Sequence, residues 1–187
     1  PNNDFKFENN RKNQAFITFD DGYFSQYECA KKYLDKENIK AIFFIIYEFM
    51  KIKNKKNHKE FLKKNLLINN IKLNNKEFKN ITFENLKVLI KKGHIIGAHT
   101  LNHPNLTQID KNNCKKEILS CKKKIKTKIG VKKIGNFAIT FGGIKFINPY
   151  ILKLCKKYYK ATFTGIRGSN NNNKQIFFRE NCDLNKD

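Results

Sequence analysis

Ala15-Phe16-Ile17-Thr18-Phe19-Asp20-Asp21-Gly22 is the stretch that decides the fold of this 187-residue chain. Its first five residues are mostly β-branched or aromatic, a pattern that predicts a buried strand. The strand stops at two acids, which therefore lie at its C-terminal end. Adjacent side chains on a regular strand point to opposite faces, so Asp20 and Asp21 can share one pocket only if the chain turns there. Gly22 permits that turn.

The two acids of this stretch are predicted to have different roles. Two carboxylates this close repel each other unless a cation lies between them or one of them takes a proton. This pattern suits one acid as a metal ligand and the other as a general base. An ordinary Asp-Gly turn is the competing interpretation, and for this stretch taken alone it is the better one.

A second informative stretch is His99-Thr100-Leu101-Asn102-His103-Pro104, which follows a predicted short strand. A spacing of four brings two imidazoles to one side of a single turn, and Pro104 discourages a continuing helix. Such a pair alone is more often two surface or core histidines than a metal site. Together with the upstream acids, however, it could form one divalent-metal centre of the His, His, carboxylate type with open coordination positions, which implies catalysis.

Apolar and amphipathic segments alternate along the chain, which indicates the α/β class. The predicted strands are residues 15–20, 39–47, 95–98, 136–141, 159–164 and 176–179. The predicted helices begin at the capping box Ser25-x-x-Glu28, span 82–92 and 111–128, and begin again at Asn148-Pro149. This alternation predicts a mostly parallel sheet, and active residues at strand ends fit a barrel with its site at the C-terminal mouth.

These motifs resemble the NodB-type polysaccharide deacetylases of carbohydrate esterase family four, over about residues 14 to 180. The family's Thr-Phe-Asp-Asp-Gly motif is matched by residues 18–22, and its His-Ser/Thr-x-x-His-Pro/Ser/Thr motif by residues 99–104. The resemblance implies an irregular, incomplete (β/α) barrel. It also implies one domain over residues 1–187 and leaves open that the chain is truncated at its C-terminus.

The resemblance further implies which residues form the site. Asp21, His99 and His103 would ligate the metal, Asp20 would be the catalytic base, and the backbone N–H of Phe141 would be the oxyanion donor. Zinc is the default for such ligands, although nickel, cobalt or iron suit them too. The implied reaction is metal-dependent removal of N-acetyl groups from N-acetylglucosamine-type residues of a cell-surface or secreted polysaccharide. The implied location is outside the cytoplasm.

The third motif departs from the family pattern. Family members carry Arg-x-Pro-Tyr or Phe-Ala-Tyr-Pro-Tyr/Phe-Gly there, whereas residues 137–143 of this chain read Phe-Ala-Ile-Thr-Phe-Gly-Gly. Ala138 stands where some relatives have the arginine that orients the base, and Arg179 is our candidate for that role. A surface charge is the competing interpretation of Arg179. No histidine follows His103, so the family's late Leu-x-His motif, whose histidine protonates the leaving amine in many relatives, is missing. Either the chain is cut before that motif, or another group protonates the leaving nitrogen, or turnover is slow or absent. A catalytically impaired glycan-binding relative is the alternative function.

The net charge of +23, from 39 basic and 16 acidic residues, raises the possibility of an anionic partner. Lysines are spread over almost every predicted helix and no nucleic-acid-reading motif is present, so nucleic acid is not expected as a partner. The densest run, Lys51 to Lys79, forms most of a basic insertion at 51–80. We expect a solvated loop with a short helix there, and contact with an anionic surface is the alternative.

The remaining histidines and the cysteines carry weaker signals. His94 is predicted to be structural and His58 to be solvated. The five cysteines show no metal-knuckle spacing, and their odd number argues against a full disulfide framework. Cys114 and Cys121 fit the apolar face of the long helix. No run of eighteen apolar residues is present in the sequence.

Overall fold

A single curled sheet organises the protein. The computed structural model of the chain describes residues 15–68, 78–170 and 175–182. Its strands are short, and their bounds are β1 Ile17–Phe19, β2 Ala41–Ile45, β3 Ile95–Ala98, β4 Asn136–Ala138, β5 Ala161–Phe163 and β6 Ile176–Phe177. Within these residues the six strands are all parallel and follow one another in chain order. The α/β class and the incomplete (β/α) barrel are thereby confirmed.

Six α-helices connect or flank the strands in the part of the chain that the structure describes. Their bounds are α1 Phe24–Cys29, α2 Tyr47–Lys51, α3 Lys55–Asn65, α4 Phe83–Lys91, α5 Lys111–Ile129 and α6 Pro149–Tyr158. A π-helical turn, Ala30–Leu34, extends α1, and a 3₁₀ turn, Ile144–Phe146, precedes α6. Side chains cap four of the helices: Asn54, Thr82, Asp110 and Asn148 each accept a hydrogen bond from a first-turn N–H.

The core lies on both faces of the sheet because alternate residues of a strand point to opposite sides. Phe43 and Ile45 of β2 pack into the large cluster shared with α1, α4, α5 and α6. Ile42 and Phe44 of the same strand pack into a smaller cluster with β4, β5 and β6, on the inner side of the curve. Each strand from β1 to β5 is followed by a crossover to a parallel neighbour, and helices α1, α4, α5 and α6 pack on the side of the sheet that holds the large cluster. The strand ends that carry the predicted site are left open.

Several predicted element ends were wrong. Strands β1, β2, β4, β5 and β6 are shorter than predicted. Strand β4 ends at Ala138, and the chain then turns through the positive φ angles of Phe141 and Gly142. The predicted capping box of α1 is also wrong. The helix begins at Phe24 after the N-cap Tyr23, and the Gln26 side chain accepts a hydrogen bond from the Tyr23 N–H at 3.2 Å. Because the chain turns at the two acids, α1 begins earlier than the Ser25-x-x-Glu28 pattern predicted.

Histidine and cysteine environments give one confirmation and one correction. His94 is buried and joins Asp35 to the Ala41 backbone N–H, as a structural histidine does. The prediction that His58 is solvated is wrong, because its ring lies against Phe49 with the centroids 5.2 Å apart. All five cysteines are free, and Cys114, Cys121 and Cys155 are buried.

The basic insertion, residues 51–80, lies partly outside the described residues, since 69–77 are not described. Its described part contains α3, which buries Leu62 and exposes most of its lysines. The single domain over residues 1–187 stays a prediction. Among the described helices, none combines the length and the apolar character that crossing a membrane requires.

Candidate metal-dependent active site

A tight turn directly after β1 brings both acids into one cleft. The Gly22 N–H donates to the Asp20 carbonyl at 3.0 Å, and Asp21 adopts a φ of 74°. Gly22 itself has a φ of 89°, and an added Cβ would lie 3.2 Å from Ile45 Cδ1. A left-handed turn reverses the usual alternation, so neighbouring side chains reach the same space.

Asp21 faces the two histidines of the second stretch. Its Oδ1 lies 3.5 Å from His99 Nε2 and 3.6 Å from His103 Nε2. The three ligand atoms all lie within 4.8 Å of one another. Two imidazole nitrogens and one carboxylate oxygen form a donor set that suits zinc and related divalent ions, so these side chains fit the cation that the motifs imply.

Backbone carbonyls orient both imidazole rings. His99 Nδ1 lies 2.8 Å from the Ala138 carbonyl oxygen, and His103 Nδ1 lies 3.0 Å from that of Asn65. A carbonyl accepts only, so each Nδ1 must carry the proton that it donates. The lone pairs are thus left on the Nε2 atoms that face Asp21.

Burial shapes the protonation of this cluster. Burial raises the pKa of Asp21 to about 6, partly offset by His99, and the charge of Asp20 adds to the increase. Burial also lowers the pKa of His103 to about 3, so the imidazole is neutral at physiological pH. Burial raises the pKa of Tyr23, whose hydroxyl donates to the Asp21 carboxylate. An uncharged, oriented histidine and a carboxylate in a desolvated site favour a bound cation.

The loop between the two histidines is strained and heavily hydrogen-bonded. Thr100 and His103 have φ angles of 68° and 61°, a conformation that costs about 1–2 kcal/mol per non-glycine residue. Several contacts oppose this strain. The His103 N–H donates to Thr100 Oγ1 at 2.9 Å, and Asn65 Nδ2 donates to the Asn102 carbonyl at 2.6 Å. The Glu117 carboxylate accepts three further hydrogen bonds from the loop. Hydrogen bonds to a charged group contribute about 1.5–3 kcal/mol each, so together they outweigh the strain.

Asp20, the second acid, is paired with an arginine from the far end of the chain. Arg179 Nη1 and Nη2 donate to Asp20 Oδ1 and Oδ2 at 2.7 and 2.8 Å. The Arg179 Nε donates to the Thr164 carbonyl, and Nη1 also donates to the Thr18 hydroxyl. Burial alone would raise the pKa of Asp20, but the charges of His99 and Arg179 and the hydrogen bonds from Arg179 outweigh it, so that this pKa lies below its usual value.

Phe141 forms one wall of the cleft. Its ring centroid lies 4.7 Å from that of His103, and its φ is 60°. Among the described residues, the backbone N–H of Phe141 has no hydrogen-bond acceptor. The cleft has a volume of about 280 Å³ and is open to solvent. Its lining comprises Asp20, Asp21, Leu66, His99, His103, Phe141, Gly142, Gly165, Arg179 and Asn181.

All six residues predicted for the site therefore line one cleft, and their roles stay predictions. Sequence reasoning missed three supporting residues: Asn65, Glu117 and Tyr23. Only Tyr23 had a local signal, because it follows the acidic turn directly. Asn65 and Glu117 act across sequence separations of 38 and 15–16 residues, which no local pattern reveals.

Comparison with known proteins by sequence finds a polysaccharide deacetylase profile and a deacetylase among the relatives. A sequence profile described as "Polysaccharide deacetylase" matches residues 7–159. The chain is 29% identical over 141 residues to the peptidoglycan-N-acetylglucosamine deacetylase of Bacillus cereus, an alignment that covers 74% of this chain and 36% of that protein. The chain spans about a third of the length of the curated relatives that it matches.

Solved structures share the fold. The deacetylase PplD of Streptococcus pyogenes, solved in complex with acetate, superposes with a TM-score of 0.68 at 21% identity, covering 88% of this chain and 62% of that one. IcaB of Ammonifex degensii superposes with a TM-score of 0.66 at 19% identity, covering 88% of this chain and 65% of that one. At these identities the similarity establishes the fold alone.

Proposed function

This chain belongs to the polysaccharide deacetylase family, and from that premise we propose that it is a metal-dependent hydrolase that removes N-acetyl groups from N-acetylglucosamine-type residues of a polysaccharide. One observation carries the proposal. Asp21, His99 and His103, whose donor atoms could hold a cation, share one open cleft with an arginine-paired carboxylate, Asp20. A bound cation and a positioned base together can hydrolyse an unactivated amide.

The three ligand side chains would hold the cation. When bound, a divalent ion supplies Lewis acidity to a water molecule and to the substrate carbonyl. We propose zinc as the default, with nickel, cobalt or iron as substitutes that the same ligands accept. The hydrogen bonds of His99 and His103 to backbone carbonyls keep both rings in the tautomer that such an ion needs.

Asp20 is the proposed base. Its pKa lies below the usual value, so it is a carboxylate at neutral pH and can accept the proton of the attacking water. The water oxygen forms a bond to the acetyl carbon, and the carbon–nitrogen bond then breaks. The products are acetate and a free amine. The proton that Asp20 accepted is available for the departing nitrogen.

Phe141 is proposed to contribute through its backbone. The N–H that lacks an acceptor among the described residues can donate to the carbonyl oxygen as negative charge develops there. A hydrogen bond from a backbone N–H does not depend on which side chain the residue carries. The site could therefore work although tyrosine and proline are missing from the third motif. The exposed part of the Phe141 ring can also pack against the apolar face of a sugar.

We propose that the substrate is a cell-surface or secreted glycan. One relative is named as a peptidoglycan-N-acetylglucosamine deacetylase. Peptidoglycan is a cell-wall polymer, so this name supports action outside the cytoplasm. Contact of the Lys51 to Lys79 segment with an anionic surface, and the absence of a nucleic-acid partner, remain predictions. A catalytically impaired glycan-binding relative is the second candidate, favoured by the altered residues 137–143.

Acetate release tests the proposal. The purified chain is incubated with added zinc or cobalt and with N-acetylglucosamine oligomers or peptidoglycan fragments, and acetate and free amines are measured. The proposal predicts both products in equal amounts and dependence on the cation. Cation and glycan binding with no acetate above the blank would instead identify the impaired relative.

Replacing Arg179 by Gln is expected to reduce kcat/KM about 10- to 100-fold, because the base loses its fixed orientation. The pH profile should also change. Asp20 must be a carboxylate to accept a proton, and Arg179 lowers the pKa of that carboxyl, so protonation of Asp20 itself limits activity only at low pH. Without Arg179 this pKa rises, and the acid limb moves to higher pH.

Arg167→Gln provides the matched control for this change. Arg167 is 85% exposed, pairs with Glu180 at 2.5 Å and is not among the residues that line the cleft. Its replacement should leave both kcat/KM and the acid limb unchanged. An acid limb that stays in place in Arg179→Gln would show that Asp20 is not the group whose ionisation limits activity.

A further inference from the structure

The loop that carries both histidines is held from outside the cleft by one acidic side chain. We propose that Glu117 of α5 is a positioning residue that fixes the two imidazoles for cation binding, although it does not line the cleft itself. This inference rests on the metal site of the proposed function. It concerns cation affinity, which can be measured without any substrate.

Three donors of the loop converge on the Glu117 carboxylate. Oε2 accepts hydrogen bonds from the backbone N–H groups of Leu101 and Asn102 at 2.8 and 2.9 Å. Oε1 accepts a hydrogen bond from Asn102 Nδ2 at 2.7 Å. The two backbone N–H groups lie midway between the histidines, so the carboxylate holds the centre of the loop. Each end of the loop carries one of the two histidine ligands.

The loop needs these hydrogen bonds because two of its residues have an unfavourable backbone conformation. Thr100 and His103 flank the two gripped N–H groups, and both have left-handed φ angles that a side chain with a Cβ disfavours. If the grip is lost, the backbone can relax toward negative φ. Because ligand atoms within 4.8 Å of one another are needed for a shared cation, a small movement of either ring weakens binding.

The position of Glu117 on its helix also sets it apart. Cys114, Ile118 and Cys121, which lie within one turn of it, are buried in the apolar core. Cys121, one turn further along α5, reaches the Ile45 carbonyl, which also accepts the His99 N–H at 2.9 Å. A carboxylate next to this apolar face is costly unless it is hydrogen-bonded. Among the residues that the structure describes, the loop provides all of the hydrogen-bond donors to the Glu117 carboxylate. An apolar residue at 117 would leave three donors without their acceptor.

Cation affinity of the full chain tests the proposal. The dissociation constant for zinc is measured by competition with a chromophoric chelator, and the ligand-field absorption of the cobalt-loaded chain is recorded. The variants are Glu117→Leu and the isosteric Glu117→Gln. The control is Glu48→Gln, which removes a carboxylate that pairs with Lys124 of the same helix and does not contact the loop through its side chain.

We expect the zinc dissociation constant to rise about 10- to 100-fold in Glu117→Leu, as for other partners that orient metal ligands. The rise should be smaller in Glu117→Gln, where one oxygen still accepts the two backbone hydrogen bonds, and the cobalt spectrum should shift in both. Glu48→Gln should match the wild type. A residue that only stabilised the fold would lower the thermal midpoint of the cation-free chain without changing the affinity or the spectrum.

Three results would overturn the proposal. The first is a folded Glu117→Leu chain that binds zinc within twofold of the wild type. The second, if Glu117→Leu does not fold, is an unchanged affinity and spectrum in Glu117→Gln. The third is a wild-type chain that binds no divalent cation, which would also remove the metal site. Intact cation binding without acetate release would instead contradict only the proposed activity.

Discussion

Asp20→Asn is expected to lower acetate release about 10³-fold, within the range that a positioned base contributes to proton transfer. The amide is nearly the same size as the carboxylate and can still accept one hydrogen bond from Arg179, so the cleft keeps its shape. It cannot take a proton from the attacking water at any accessible pH. Initial rates of acetate release at saturating cation measure the loss, and zinc affinity measured in parallel should stay close to that of the wild type.

Asp110→Asn is the control for this substitution. Asp110 caps α5 through hydrogen bonds to the N–H groups of Asn112 and Asn113, and asparagine caps a helix about as well as aspartate. The same chemical change remote from the cleft should therefore leave the rate intact. If Asp20→Asn kept more than a tenth of the wild-type rate, another group would have to be the base.

Removal of the cation is expected to have the other large effect. A strong chelator should reduce acetate release to the level of the blank, and added zinc or cobalt should restore it, because the cleft then regains its electrophile. His103→Ala should raise the zinc dissociation constant more than about 100-fold, since even residues that only orient a ligand contribute 10- to 100-fold. Chelator competition measures the affinity, and acetate release with a fixed excess of zinc measures the activity.

His58→Gln serves as the control for His103→Ala. His58 lies on α3 against the Phe49 ring and is not among the residues that line the cleft. Its loss should leave zinc affinity within twofold of the wild type. If His103→Ala also left zinc affinity within twofold of the wild type, the triad of Asp21, His99 and His103 would not be the site that holds the ion.

The contacts of Arg179 support the proposal that it compensates for the departure of the third motif from the family pattern. Ala138 stands where some relatives have an arginine, and its carbonyl instead orients His99. Arg179 approaches Asp20 from a position 159 residues later in the chain. Its guanidinium lies 5.6 Å from the centre of the Phe44 ring, while Thr164 and Thr18 accept its other hydrogen bonds. The side chain is thus held by β2, by β1 and by the segment after β5, which fits it for orienting a base.

The fold was accessible from the sequence because its signals are local. Each strand is an apolar run bounded by turn residues, and helices α4, α5 and α6 carry Thr82, Asp110 and Asn148 as their caps. Strand β3 and helix α4 accordingly lie where the pattern predicts them. Strand ends were less accessible, as β4 shows, because its last hydrogen bonds depend on how the neighbouring strands are registered. The environment of His58 depends on the packing of α3 and was mispredicted for the same reason.

What the sequence by itself determined was the fold class, through the alternation of strands and helices, and the family with its candidate residues, through short motifs at strand ends. Arg179 lies in none of these motifs and was a candidate only because the third motif lacks an arginine. What only the tertiary structure decided was how those residues are held. The pairing of Arg179 with Asp20, the carbonyl of Asn65 behind His103 and the grip of Glu117 on the histidine loop all join residues far apart in the chain. Such contacts arise only in the folded chain, because the parallel strands bring their C-terminal ends to one edge and helices α3 and α5 place Asn65 and Glu117 against the histidine loop.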